Sequence, residues 1–176
     1  SPDITQEIEA NIERVLKEGS LRQISVEEAR EKELLEYFDP KPDYMEHIKS
    51  LVDLEVIKAS GLRIVYDPMY STGRDYLDGI LRDAGIQLQV LHNTRDPLFG
   101  GSSPEPSEAR LQEMADIIRK GQADIGLATD GDADRFGVID STGAYLTPNQ
   151  VISLLLIHLI EKGAQGVVGR TVATTH

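Results

Sequence analysis

Asp130-Gly131-Asp132-Ala133-Asp134-Arg135 places three carboxylates at alternate positions with a cation directly behind them. Like charges this close repel one another, so a fold gathers them at a cost unless a positive ion shares the space. Extended backbone would hold the outer two about 13 Å apart at about 3.3 Å per residue. A helix would turn the middle one to the opposite side. A tightly curled loop lets all three reach one ion, and Gly131 and Ala133 are small enough for the curl. Ligands that are all oxygen favour a hard cation, and three carboxylates with positions left over suit Mg²⁺ completed by a phosphate oxygen. Asp130, Asp132 and Asp134 are the candidate metal ligands, and Arg135 offers that phosphate a planar fork of donors.

The spacing also tests competing chemistries. An EF-hand loop needs Gly at its sixth position and Glu at its twelfth, where this chain has Arg135 and Ser141. A phosphatase with an aspartate nucleophile also uses Asp-x-Asp and would form an aspartyl phosphate on Asp130. A metal-binding or assembly module without catalysis is a third reading, and a solvated acidic turn the plainest.

Such a loop must be carried by a scaffold. From Gly61 short β-rich runs alternate with helical patterns: Leu62–Tyr66, a helix over Thr72–Ala84 stopped by Gly85, Ile86–Leu91, a helix capped by Ser107 and ended by Gly121, then Asp124–Ala128. Strands joined through single helices pair in parallel by right-handed crossovers. The expected class is therefore α/β, a three-layer α/β/α sandwich with a mostly parallel sheet, and ligands gather beyond the carboxyl ends of its strands. The acidic loop follows the third of these strands. Phe136–Asp140 and Ala144–Leu146 read as a hairpin that extends the sheet. Thr147-Pro148-Asn149 opens an apolar helix read as a buried connector, and Gly166–Ala173 starts a further strand. Upstream, Ile4, Ile8, Ile12, Val15 and Leu16 predict an amphipathic helix over Pro2–Glu18. The charged stretch Leu21–Lys41 reads as a solvated face or linker, and Met45 to Ile57 as one more helix.

Other residues carry weaker signals. Ser71 lies in the turn after the first strand and reads as a turn residue. Tyr66 and Met69 read as packing, and His47, His92 and His158 as ordinary residues, with no ligand spacing around them. Phe99-Gly100-Gly101-Ser102-Ser103-Pro104 is equally a turn and a border of the cleft.

The chain of 176 residues carries 18 basic and 30 acidic side chains, a formal charge of −12, which argues against general nucleic-acid binding. A local cation or metal ion still admits a phosphorylated ligand. The absence of cysteine excludes a disulfide scaffold and fits a cytoplasmic location. The longest apolar run, Val151–Ile160, is too short for a membrane span, so no membrane partner is expected.

The hexapeptide resembles the metal-binding loop of the α-D-phosphohexomutases, the phosphoglucomutases and phosphomannomutases. The similarity extends to Val65-Tyr66-Asp67-Pro68-Met69, to Phe99-Gly100-Gly101 with Pro104-Glu105-Pro106, and to Arg170-Thr171-Val172-Ala173-Thr174-Thr175. The resemblance implies an enzyme that moves a phosphoryl group between the 1- and 6-positions of a hexose phosphate, by way of a phosphoserine and a hexose bisphosphate. It implies Mg²⁺ on Asp130, Asp132 and Asp134, with Arg135 steadying the phosphoryl group and Arg170 near the substrate. It implies the end of a first domain in residues 1–42, a second α/β/α domain in 43–150 and the opening of a third in 151–176. The family's serine loop, of the type Thr-Ala-Ser-His-Asn, is absent: no Ser is followed by His. The chain is accordingly expected to be an excised middle, inactive alone and partnered by the missing domains of its parent. Glucose phosphates are the favoured substrates.

Overall fold

Alternating apolar residues that face two directions make the centre of a sheet covered on both sides. Arg63–Asp67 (β1) is such a strand, buried from Ile64 onward. The computed structural model describes residues 2–19, 21 and 23–169. Two compact units divide the chain, Ser1–Lys41 and Pro42–His176.

In the first unit, α1 (Pro2–Glu18) carries the expected apolar stripe, with Ile4, Ile8, Ile12 and Leu16 all exposed. The charged stretch contains a helix that was not expected, α2 (Val26–Glu31). Ser25 starts it by accepting from the Glu28 N–H at 3.0 Å, and Glu27 and Glu28 sit where the helix dipole favours negative charge.

In the second unit, the single helix expected from Met45 to Ile57 is two, α3 (Lys41–Leu51) and α4 (Leu54–Ala59). Asp53 interrupts them because its side chain accepts from the Val56 N–H and caps the second. After β1 come α5 (Leu77–Asp83), β2 (Gln87–Val90), α6 (Gln112–Arg119), β3 (Ile125–Thr129), β4 (Phe136–Ile139), β5 (Tyr145–Leu146) and α7 (Pro148–Glu161). The sheet order is β2-β1-β3-β4-β5. β1 pairs in parallel with β2 and β3, while β4 is antiparallel to both β3 and β5, so β4 alone opposes the others.

Side-chain alternation on β1 builds the layers. Ile64 packs with Leu81 and Ile86, supported by Leu54 and Ile57 of α4. Val65, one residue on, faces the opposite way into Met114, Ala115, Ile117 and Ile118 of α6. The three-layer expectation therefore holds.

Several boundaries differ from expectation. The helix placed over Thr72–Ala84 begins only at Leu77, because Asp75, inside that range, takes a left-handed φ of 64°. Ser107 does not cap α6. Its carbonyl accepts from the Arg110 and Leu111 N–H groups in a separate turn. α7 is not buried: Ile152, Leu154, Leu155, Ile157, Leu159 and Ile160 are exposed. Residues 166–169 form no strand, and the rest of that expected strand lies outside the described residues.

Candidate metal centre

β1 and β3 run side by side with Asp67 opposite Ala128, so the turn after β1 lies next to the acidic loop after β3. That loop is the connection of a β3–β4 hairpin, with Thr129 and Phe136 paired across its neck. The pairing continues one step further, the Asp130 N–H donating to the Arg135 carbonyl at 3.2 Å. Hairpin closure forces the intervening residues to curl. The left-handed position in the curl falls on Ala133, at φ 62°, with its N–H donating to the Asp130 carbonyl at 3.2 Å. Gly131 serves a different need. A Cβ there would stand 3.0 Å from Cγ of Pro104, so the glycine lets the Phe99–Pro104 segment pack onto the loop.

The curl brings one carboxylate oxygen each from Asp130, Asp132 and Asp134 within 4.8 Å of one another. A magnesium ion bonded at about 2.0–2.1 Å needs oxygens about 3 Å apart when adjacent and about 4 Å apart when opposite. Small rotations of the two exposed carboxylates, Asp132 and Asp134, cover that difference. The donor set is hard, compact and open on one side, and fits Mg²⁺.

Asp130 is the fixed member, 1% exposed. Burial works to raise its pKa, but the Arg135 backbone N–H, the Arg135 side chain and its positive charge outweigh burial and hold the carboxyl below its usual range. The bonds are 3.0 Å from the backbone N–H to Oδ1 and 2.9 Å from Nε to Oδ2. Asp134 is shifted upward, first by the charge of Asp132, then by burial and by the charge of Asp130.

Arg135 also forms an ion pair through Nη1 with Glu105, and Nε lies 3.5 Å from Asp134. Glu105, quoted above only as part of a motif, thus helps to aim the guanidinium. No spacing rule connects positions 105 and 135. The arrangement disfavours Asp130 as a nucleophile, since both its oxygens already accept from Arg135 beneath the surface. Ser71, Thr72, Asp67 and His92 also carry more than the sequence indicated. Ser71 and Thr72 bond the loop backbone, and His92 Nδ1 lies 2.8 Å from Oδ2 of Asp67. Tyr66 is buried as expected, but its hydroxyl also bonds Thr129. Arg170 lies outside the described residues.

Residues 42–143 match the family model for "Phosphoglucomutase/phosphomannomutase, alpha/beta/alpha domain II". The chain belongs to the phosphoglucomutase/phosphomannomutase family. It is 32% identical over 133 residues to the phosphoglucomutase/phosphomannomutase of Thermococcus kodakarensis, a match covering 76% of this chain and 29% of that protein. The phosphoglucosamine/phosphogalactosamine mutase of Sulfurisphaera tokodaii is 37% identical over 100 residues, covering 57% and 22%. A chain solved from Thermus thermophilus superposes with a TM-score of 0.68 at 30% identity, covering 81% of this chain and 36% of that one. A phosphoglucomutase/phosphomannomutase family protein of Burkholderia thailandensis gives 0.61 at 25%, covering 73% and 27%. This family member therefore spans about a third or less of the length of the relatives it matches.

Proposed function

We propose that this chain is the metal-holding part of a Mg²⁺-dependent phosphohexomutase that interconverts hexose 1-phosphate and hexose 6-phosphate. The supporting observation is the gathering of Asp130, Asp132 and Asp134 within 4.8 Å beside Arg135, at the carboxyl end of a central strand.

A bound Mg²⁺ supplies positive charge where phosphoryl oxygens collect. Phosphoryl transfer through a loose transition state depends on alignment and charge stabilisation rather than on covalent chemistry by the protein. This chain contributes both. Asp130 is fixed by burial and by Arg135, and Asp132 and Asp134 remain free to adjust. Arg135, gripped by Asp130 and Glu105, presents its remaining donors to a phosphoryl oxygen.

In the proposed cycle a serine phosphate breaks its O–P bond as a sugar hydroxyl oxygen forms one, giving a hexose bisphosphate, and the hydroxyl proton leaves with the serine oxygen. The reoriented bisphosphate then returns its other phosphoryl group to the serine. The serine loop and the residues that read the sugar are assigned to parts of the parent protein that this chain does not contain. Glucose 1-phosphate is the substrate to try first. Two measurements test the reading: Mg²⁺ binding by calorimetry to the chain and to Asp132→Ala, and conversion of glucose 1-phosphate by the chain alone. Metal binding lost in the variant, with no conversion, is the expected result. Equal binding defeats the metal assignment, and conversion defeats the claim that the nucleophile lies elsewhere.

A further inference from the structure

The turn that leaves β1 grips the acidic loop by its backbone. The Ser71 hydroxyl, buried, donates to the Asp130 carbonyl at 2.8 Å and also faces the Pro68 carbonyl. The Thr72 hydroxyl donates to the next carbonyl of the loop, Gly131, at 3.2 Å. Two consecutive hydroxyls thus hold two consecutive carbonyls on a neighbouring strand end. Nearby, the Tyr66 and Thr129 hydroxyls lie 2.8 Å apart, and a Cβ on Gly73 would collide with Oγ1 of Thr129, so the turn approaches β3 as closely as glycine permits.

The turn is itself anchored on its far side. Its left-handed residues Met69 and Tyr70 are held by the Met69 N–H donating to Oδ1 of Asp67 at 2.7 Å and the Tyr70 N–H donating to the His92 carbonyl at 3.0 Å. The Tyr70 ring lies 4.6 Å from that of His92. Strain of this kind persists where the surroundings over-determine it.

We infer that Ser71 and Thr72 are positioning residues that keep the acidic loop curled before any cation arrives. The inference rests on the metal reading of the loop. Three carboxylates drive the curl open in the metal-free chain, and the grip on the carbonyls of Asp130 and Gly131 opposes that at the backbone, where side-chain charge has no direct hold. Opening the loop before binding reduces apparent affinity by the fraction of chains left competent.

The test uses Ser71→Ala and Thr72→Val, with Thr72→Ser as the variant that keeps a hydroxyl. Thr72 is exposed, so its variants remain informative should Ser71→Ala fold poorly. Amide exchange by NMR in the metal-free chain follows the Asp130, Ala133 and Arg135 N–H groups against those of α6. Mn²⁺ affinity, with Mn²⁺ as a hard octahedral stand-in, is measured alongside.

The expected result is faster exchange confined to the loop and about fivefold to tenfold weaker Mn²⁺ binding in Ser71→Ala and Thr72→Val, the scale of one lost hydrogen bond, with Thr72→Ser near wild type. Unchanged loop exchange in both variants overturns the inference, as does exchange raised equally in α6, which marks a merely structural role. Equal Mn²⁺ uptake by wild type and Asp132→Ala overturns the metal reading on which the inference rests. Loop exchange still raised in that case identifies the metal, rather than the grip, as the part that failed.

Discussion

Arg135 closes a ring on Asp130, five residues before it, with its backbone N–H on one carboxylate oxygen and its Nε on the other. One residue therefore ends the hairpin curl and fixes the direction of the buried ligand. The two exposed carboxylates are left to complete the site.

Asp132 is the cleanest probe of the metal assignment, being exposed and outside the Arg135 ring. Asp132→Ala is expected to lower Mg²⁺ affinity at least about tenfold, the loss of one of three charged ligands, while leaving the thermal midpoint of the metal-free chain in place or slightly higher as repulsion falls. Calorimetry and a melting curve on the same sample decide it.

Acid should weaken the fold through the end of the sheet opposite the metal loop, where β1 and β3 begin. Arg63 donates to Asp124 from its backbone N–H at 2.9 Å, from Nε at 3.0 Å and from Nη2 at 2.7 Å. The Arg63 side chain first, then its backbone N–H, bring the Asp124 pKa down to about 2, against the resistance of burial. A carboxyl with a depressed native pKa binds its proton more tightly when unfolded. Its contribution is complete above the unfolded value of about 3.9 and fades as pH falls toward about 2. Urea unfolding from pH 6 to pH 2 should show this acid limb, and Asp124→Asn should flatten it. An unchanged limb in the variant would assign it to other carboxylates.

Gly137 on β4 has no room for a side chain. A Cβ there would lie 2.7 Å from Cδ1 of Leu111, 2.9 Å from the Pro106 carbonyl oxygen and 3.0 Å from Cβ of Pro106. Gly137→Ala is expected to cost about 1–3 kcal/mol in chemical denaturation, since backbone must shift to accept it. The displaced Pro106 adjoins Glu105, so the variant should also loosen the Arg135 ion pair.

The exposed apolar residues of α7 predict self-association of the isolated chain. Ile152, Leu154, Leu155, Ile157, Leu159 and Ile160 lie open along fourteen residues of helix. Sedimentation velocity should show concentration-dependent association that Leu155→Glu reduces. A monomeric wild type at high concentration would contradict it.

The sequence alone determined the class of the fold, because alternation between period-2 and helical runs from Gly61 onward is a local property of apolar spacing. It also pointed to Asp130, Asp132, Asp134 and Arg135, because four charged groups in one hexapeptide reach each other through local curl. Helix starts were less legible. Helices read from Thr72 and from Ser107, yet the left-handed backbone at Asp75 and a separate turn at Ser107 delay both.

Only the tertiary structure decided which distant residues serve the loop. Glu105 meets Arg135, and Ser71 and Thr72 meet Asp130 and Gly131, across separations of 30 and 59 residues. Those meetings follow from β1 and β3 lying adjacent and β4 turning back antiparallel, a matter of strand order. Strand order depends on contacts far apart in the chain, and the spacing of residues within a segment carries no record of them.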